Sequence, residues 1–166
     1  MRVLIAYYSR TGVTRAAAGA IASALRLAGA AEVDVEEVVD TKCRKGPLGY
    51  LGAGKDASLR RRTVISPPAS NPGDYDVLVL GTPVWAFTLA AAMRTYCTEH
   101  GKDAAKVALF CTMGGSGDER TFKHAEDILG KVAVARLSLL ERHVKDSDEQ
   151  EFLAKVRQFA EKIAAS

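Results

Sequence analysis

The chain has 166 residues, 48% of them hydrophobic and 26% charged, with a formal net charge of +3. That length suits one domain, residues 1–166, burying roughly 70% of its unfolded surface; no apolar run approaches the ~20 residues of a membrane span, and the start does not read as a signal peptide. Cys43, Cys97 and Cys111 are odd in number, far apart and without a Cys-x-x-Cys pair, which argues against a disulfide framework or zinc site and for a reduced, cytoplasmic setting.

Arg2 to Ala6 is a short apolar, β-branched run that predicts a buried first strand. Ala16 to Ala28 is rich in Ala, Ile and Leu and predicts the first helix, ended by Gly29. Between them, Tyr8 to Thr14 holds three hydroxyls, Ser9, Thr11 and Thr14, around Gly12. A strand that turns straight into a helix leaves backbone N–H groups unpaired at the positive end of the helix dipole, a place that favours phosphate. The loop has no Lys, so a single terminal phosphate suits it better than a triphosphate. An N-capped helix with no ligand is the plainer alternative.

Glu32 to Val39 alternates acidic and apolar residues, as an edge strand with one wet face does. The connection that follows, residues 41–75, is unusually long for an α/β unit. Lys42 to Arg62 holds seven basic residues and one acid, a local +6, which leaves −3 for the rest of the chain. It lacks aromatic interleaving, and no nucleic-acid motif accompanies it. One short helix is expected around Lys55 to Arg62. Partial matches there to a P-loop (Gly49 to Lys55) and a dinucleotide fingerprint (Gly52 to Ala57) fail, since no strand precedes them and Asp56 stands where a metal-binding hydroxyl is needed.

Asp76 to Gly81 predicts a central parallel strand, and Leu89 to His100 a helix with Leu89, Ala92, Met93 and Tyr96 on one face. The loop between them, Thr82-Pro83-Val84-Trp85-Ala86-Phe87-Thr88, has Thr82-Pro83 as its exit turn and holds the only Trp. Trp85 either lines a pocket or seals the end of the sheet. Lys106 to Cys111 is the next strand, and Glu119 to Leu129 the next helix, closed by Gly130. Their connection, Thr112-Met113-Gly114-Gly115-Ser116-Gly117-Asp118, frees the backbone to offer its own N–H and C=O groups to a ligand. A flexible linker capped by Ser116 or Asp118 is the alternative. Val132 to Leu140 predicts a fifth strand running directly into the last helix, which opens on a capping box, Ser147 to Gln150, and shows Phe152, Val156, Phe159 and Ile163 at helical spacing. His100, His124 and His143 are scattered, and Ser116 misses a nucleophile elbow, so neither metal nor hydrolase chemistry is indicated.

In an open parallel sheet, ligands bind beyond the carboxyl ends of the strands, where the strand order reverses. Ser-x-Thr-Gly-x-Thr after the first strand, Gly-Thr-Pro-Val-Trp after the third and Thr-Met-Gly-Gly-Ser-Gly after the fourth together resemble the flavodoxin-like superfamily. The resemblance implies an α/β fold: a doubly wound five-stranded parallel sheet of order 2-1-3-4-5 in three α/β/α layers. It implies FMN as cofactor, its phosphate on Ser9, Arg10 (amide), Thr11, Gly12 (amide), Val13 (amide) and Thr14. The ring would lie between Thr82, Pro83, Val84, Trp85, Ala86 and Phe87 on one side and Thr112, Met113, Gly114, Gly115, Ser116 and Gly117 on the other. The chemistry would be the flavin's, with no catalytic side chain and no metal.

The chain departs from the pattern in its basic balance, in having Ala90 and Ala91 where a proline is usual, and in offering only Tyr50 as an aromatic in the long segment to stack on the flavin. Two roles follow. One is an oxidoreductase passing electrons from NAD(P)H to a quinone or similar small acceptor, with Lys42 to Arg62 binding nicotinamide phosphates or covering the flavin. The other is an electron carrier docking on a redox partner protein; apart from these two redox roles stands a binding module that has kept the fold and lost its flavin. The resemblance also allows a homodimer, since many flavoprotein reductases complete their pocket across an interface; nothing in the sequence marks that surface.

Overall fold

A computed structural model describes residues 1–41, 62–145 and 149–166. The strands are β1 (Arg2–Tyr7), β2 (Glu32–Glu37), β3 (Val77–Trp85), β4 (Thr88–Leu89), β5 (Lys106–Met113) and β6 (Arg136–Leu140). The helices are α1 (Val13–Leu27), α2 (Ala91–Glu99), α3 (Asp118–Leu129), α4 (Glu141–Lys145) and α5 (Glu149–Ala164). Tyr50, Cys43, Lys42 to Arg61 and Ser147-Asp148 of the expected capping box lie outside the described residues.

The sheet runs β2-β1-β3-β5-β6, all parallel, with β4 folded back antiparallel on β3. This is the expected doubly wound order with one extra two-residue strand, which makes six strands rather than five. Alternate residues of each strand face opposite sides. Val3, Ile5, Val77, Val79, Phe110, Leu137 and Leu139 pack against Ala17, Ala18, Ile21 and Leu25 of α1 and Val156, Phe159 and Ile163 of α5. On the other side Leu4, Leu78, Leu80, Val107 and Leu109 meet Met93, Tyr96 and Cys97 of α2 and Phe122, Ala125 and Leu129 of α3. Covering both faces explains why the central strands are unbroken apolar runs.

Helix α1 ends as its sequence demands. Gly29, at φ +91°, lets its N–H reach the Arg26 carbonyl and that of Ala30 reach Leu25, satisfying the last turn. The other boundaries shift. Helix α1 starts at Val13 rather than Ala16, and β2 stops at Glu37 rather than Val39. Strand β3 does not leave the sheet at Thr82-Pro83: it continues to Trp85, with Pro83 opposite Thr112 of β5. The reason is that β1 ends at Tyr7, opposite Gly81, and β4 joins only at Val84, so Thr82 and Pro83 pair with β5 alone and a proline is tolerated there. Strand β5 likewise includes Thr112 and Met113. β6 begins only at Arg136, since Val132 is 78% exposed and lies off the sheet. A short α4 then separates β6 from the last helix.

Two thiols sit deep in this core. Burial pushes both Cys97 and Cys111 up to about 12. For an acid raised in the folded state, the unfolded chain releases its protons first. Stability from these two groups is therefore fully present below the ordinary thiol range near pH 9 and declines as pH rises toward 12. We expect neither to react with iodoacetamide in native protein at pH 9, and both to react in denaturant. Peptide mass mapping reads this, and native alkylation at either position would contradict it.

Candidate functional site

The loop from Tyr8 to Gly12 is organised by Ser9. Its Oγ accepts from the amides of Gly12 at 3.1 Å and Arg15 at 3.2 Å, curling the chain into the helix start. Gly12 stands at the N-cap with φ +90°, a conformation that a side chain disfavours. The first helical bond runs from the Ala16 N–H to the Gly12 carbonyl. The amides of Val13 and Thr14 thus precede any intrahelical acceptor, at the positive end of a 15-residue helix. Thr11 stands exposed at the tip. Arg15 is engaged by Glu37 at 2.6 Å, which is the main cause of its raised pKa, followed by its bond to Tyr7. Backbone amides and small hydroxyls, rather than the Arg15 charge, are therefore what this loop offers an anion.

Thr14 differs from the other two hydroxyls. It is buried, and its Oγ1 lies 2.8 Å from Oγ1 of Thr112 at the end of β5. This bond ties the first loop to the third.

The second loop is a hairpin. Trp85 and Thr88 face each other across the two-residue turn Ala86–Phe87, both residues at positive φ, +48° and +60°. Such a turn ordinarily takes Asn-Gly. With Ala and Phe it is strained, and strain of this kind gathers at functional places. Trp85 is half-buried, with the Tyr8 ring 5.6 Å away edge-on at 88°. Phe87 is 54% exposed. Thr82 and Pro83, expected in the loop, are buried strand residues. The Thr82 hydroxyl accepts from the Ala90 amide at 3.2 Å and donates to the Pro83 carbonyl at 3.0 Å, so it fixes where the hairpin rejoins α2.

The third loop is Gly114 to Gly117; Thr112 and Met113 belong to the strand before it. A Cβ built on Gly114 or Gly115 would meet no atom within 4 Å, so open space borders the backbone of both. Gly117, at φ +109°, packs tightly: its Cβ would stand 2.9 Å from Val84 Cγ1 and 3.2 Å from Phe87 Cα. Asp118 accepts from the Ser138 hydroxyl at 2.6 Å and anchors the start of α3 on β6.

The three expected loops meet. Tyr8 donates its amide to the Gly81 carbonyl at 3.0 Å and touches Trp85 with its ring; Thr14 reaches Thr112; Gly117 abuts the hairpin. The result is a mouth at the carboxyl edge of the sheet that gathers the amide-rich turn at the start of α1, the Tyr8 and Trp85 rings and the open backbone of Gly114 and Gly115. Tyr8, the first residue of the expected turn, adds an aromatic ring that the pattern of hydroxyls does not single out.

A model of the flavodoxin family matches residues 2–156. Among solved structures, a flavoprotein in complex with FMN from Lactobacillus acidophilus superposes with a TM-score of 0.69 at 20% identity, covering 91% of this chain and 97% of that one. The two-electron reduced flavodoxin of Megasphaera elsdenii gives 0.64 at 21% identity, covering 99% of each chain. Oxidised flavodoxin 1 of Bacillus cereus gives 0.62 at 18%, covering 99% of this chain and 98% of that one. At these identities the structural likeness speaks for the fold.

Proposed function

The chain belongs to the flavodoxin family, and from that premise we propose that it binds FMN at the mouth described above and works as a redox protein. The observation that carries the reading is the meeting of the Ser9–Thr14 turn, the Trp85 hairpin and the Gly114–Gly117 loop at one sheet edge. When bound, FMN supplies the electron or hydride chemistry at its ring. The protein's part is binding and placement. The Val13 and Thr14 amides and the Ser9 and Thr11 hydroxyls hold the phosphate. Trp85, steadied by Tyr8, forms an aromatic wall, and the Gly114–Gly115 backbone offers N–H and C=O groups to the polar edge of the ring. Among the described residues, no helix is long and apolar enough to cross a membrane.

Of the two redox roles, we favour an oxidoreductase passing electrons from NAD(P)H to a quinone or similar small acceptor in the cytoplasm. The clustered charge of Lys42 to Arg62 supports it, because Arg and Lys there suit the phosphates of a nicotinamide cofactor. The flavodoxin neighbours that match over nearly their whole length favour the second role, a carrier docking on a redox partner protein. Purified protein mixed with FMN, NADPH and a soluble quinone separates them. Steady nicotinamide oxidation supports the oxidoreductase. No turnover, with two resolved one-electron steps on chemical reduction, supports the carrier. Failure to take up any flavin would overturn both.

Thr11→Ala tests the phosphate site. A hydroxyl bonded to a charged phosphate contributes roughly 1.5–3 kcal/mol. FMN affinity should fall about ten- to a hundredfold, read by quenching of flavin fluorescence. Unchanged affinity would move the phosphate elsewhere.

A further inference from the structure

Strand β4 is only two residues long, yet it carries a side-chain cluster that the flavin ligands do not account for. Thr88 is buried and pairs in register with Trp85. Its Oγ1 accepts from Nη2 of Arg94 at 2.9 Å and lies 2.8 Å from Nδ1 of His124. Arg94 comes from α2 and is itself only 6% exposed; His124 comes from α3. One hydroxyl therefore joins the returning strand of the hairpin to both helices on that face of the sheet.

The hairpin needs such an anchor. Ala86 and Phe87 hold backbone conformations that residues with side chains rarely adopt, and opening the turn would relieve both. A two-stranded ribbon is marginal by itself, and this one has just two residue pairs, Val84 with Leu89 and Trp85 with Thr88. A hydroxyl has one proton and two lone pairs. At Thr88 it accepts from a permanently charged guanidinium and completes its bonding with the imidazole, so it is well used only while the strand stays folded back.

We infer that Thr88 is a positioning residue: held by Arg94 and His124, it keeps the strained turn closed and Trp85 facing the mouth of the site. Its consequence for cofactor binding rests on the flavin reading above, whereas the clamp itself is measurable without flavin. Trp85 is the only tryptophan in the chain, so its fluorescence reports on the hairpin directly.

The experiment compares wild type with Thr88→Val, which keeps the shape and removes the hydroxyl, Thr88→Ser, which keeps the hydroxyl, and His124→Phe, which keeps a ring and loses the bond. In flavin-free protein, amide hydrogen exchange across residues 84–89 should quicken about tenfold in Thr88→Val. Trp85 emission should move to the red, with exchange in β1 and β5 unchanged. Thr88→Ser should restore slow exchange, and His124→Phe should show a smaller change in the same direction. FMN affinity should fall in the order Thr88→Ser, His124→Phe, Thr88→Val. Unchanged hairpin exchange in Thr88→Val would overturn the clamp, as would a Thr88→Ser hairpin as loose as the valine variant. A looser hairpin with wild-type FMN affinity would overturn the positioning role and leave the flavin site standing. If wild type takes up no FMN, the flavin reading fails, and the exchange series still decides the clamp.

Discussion

Gly117→Ala is expected to weaken the fold and the flavin site together. Position 117 sits at φ +109°, and a left-handed conformation costs a side-chain-bearing residue about 1–2 kcal/mol. The new methyl would also stand 2.9 Å from Val84 Cγ1 and 3.2 Å from the Phe87 backbone, so the hairpin must move away from the third loop. Overpacking of this kind adds about 1–3 kcal/mol. The melting temperature should fall by roughly 2–4 °C for each kcal/mol in a chain this long. Because the displaced element carries Trp85, FMN affinity should drop as well, by about tenfold or more. Thermal melts and flavin titration read the two effects. A variant with wild-type affinity would mean that the glycine serves only the backbone.

Gly81→Ala should also destabilise the fold, with no change in the ligands of the site. Gly81 lies in register with Phe110 on the neighbouring strand, and the ring lies across it. A Cβ there would come within 2.1 Å of Phe110 Cζ and 2.4 Å of Cε1, and Phe110 is fully buried. A packed interior gives the ring little room to retreat. The expected cost is about 3 kcal/mol, the upper part of the range for an added methyl. That corresponds to a melting temperature lower by about 6–12 °C. Shortening the obstacle in the double variant Gly81→Ala with Phe110→Leu should recover part of the loss. A single variant as stable as wild type would show that the ring has another place to lie.

The parts that were legible in the sequence are those governed by local rules. The runs expected at Arg2 to Ala6, Asp76 to Gly81 and Lys106 to Cys111 had to be covered strands, and Gly29 and Gly130 had to end helices, because each signal lies within a few neighbouring residues. The meeting of three strand-end loops followed from the parallel topology. What failed depended on distant partners. Pro83 reads as a strand breaker until one knows that β1 has already stopped beside Gly81. The Ala86–Phe87 turn carries none of the Gly or Asn that advertise such a hairpin, because its closure is held by tertiary contacts. Val132 and Val134 alternate like strand residues yet face solvent. Thr14, expected as a phosphate ligand, also pairs its hydroxyl with that of Thr112, 98 residues away. Spacing alone does not reveal such a pairing.

The most direct measurement is a paired titration of the flavin-free protein with FMN and with riboflavin, which share the ring and differ in the phosphate. If the turn from Ser9 to Thr14 holds that phosphate, FMN should bind at least about a hundredfold more tightly than riboflavin, a difference of about 2.7 kcal/mol. The margin should shrink in Thr11→Ala. Equal affinity for the two flavins, or binding of neither, would contradict the assignment of that turn as the phosphate site.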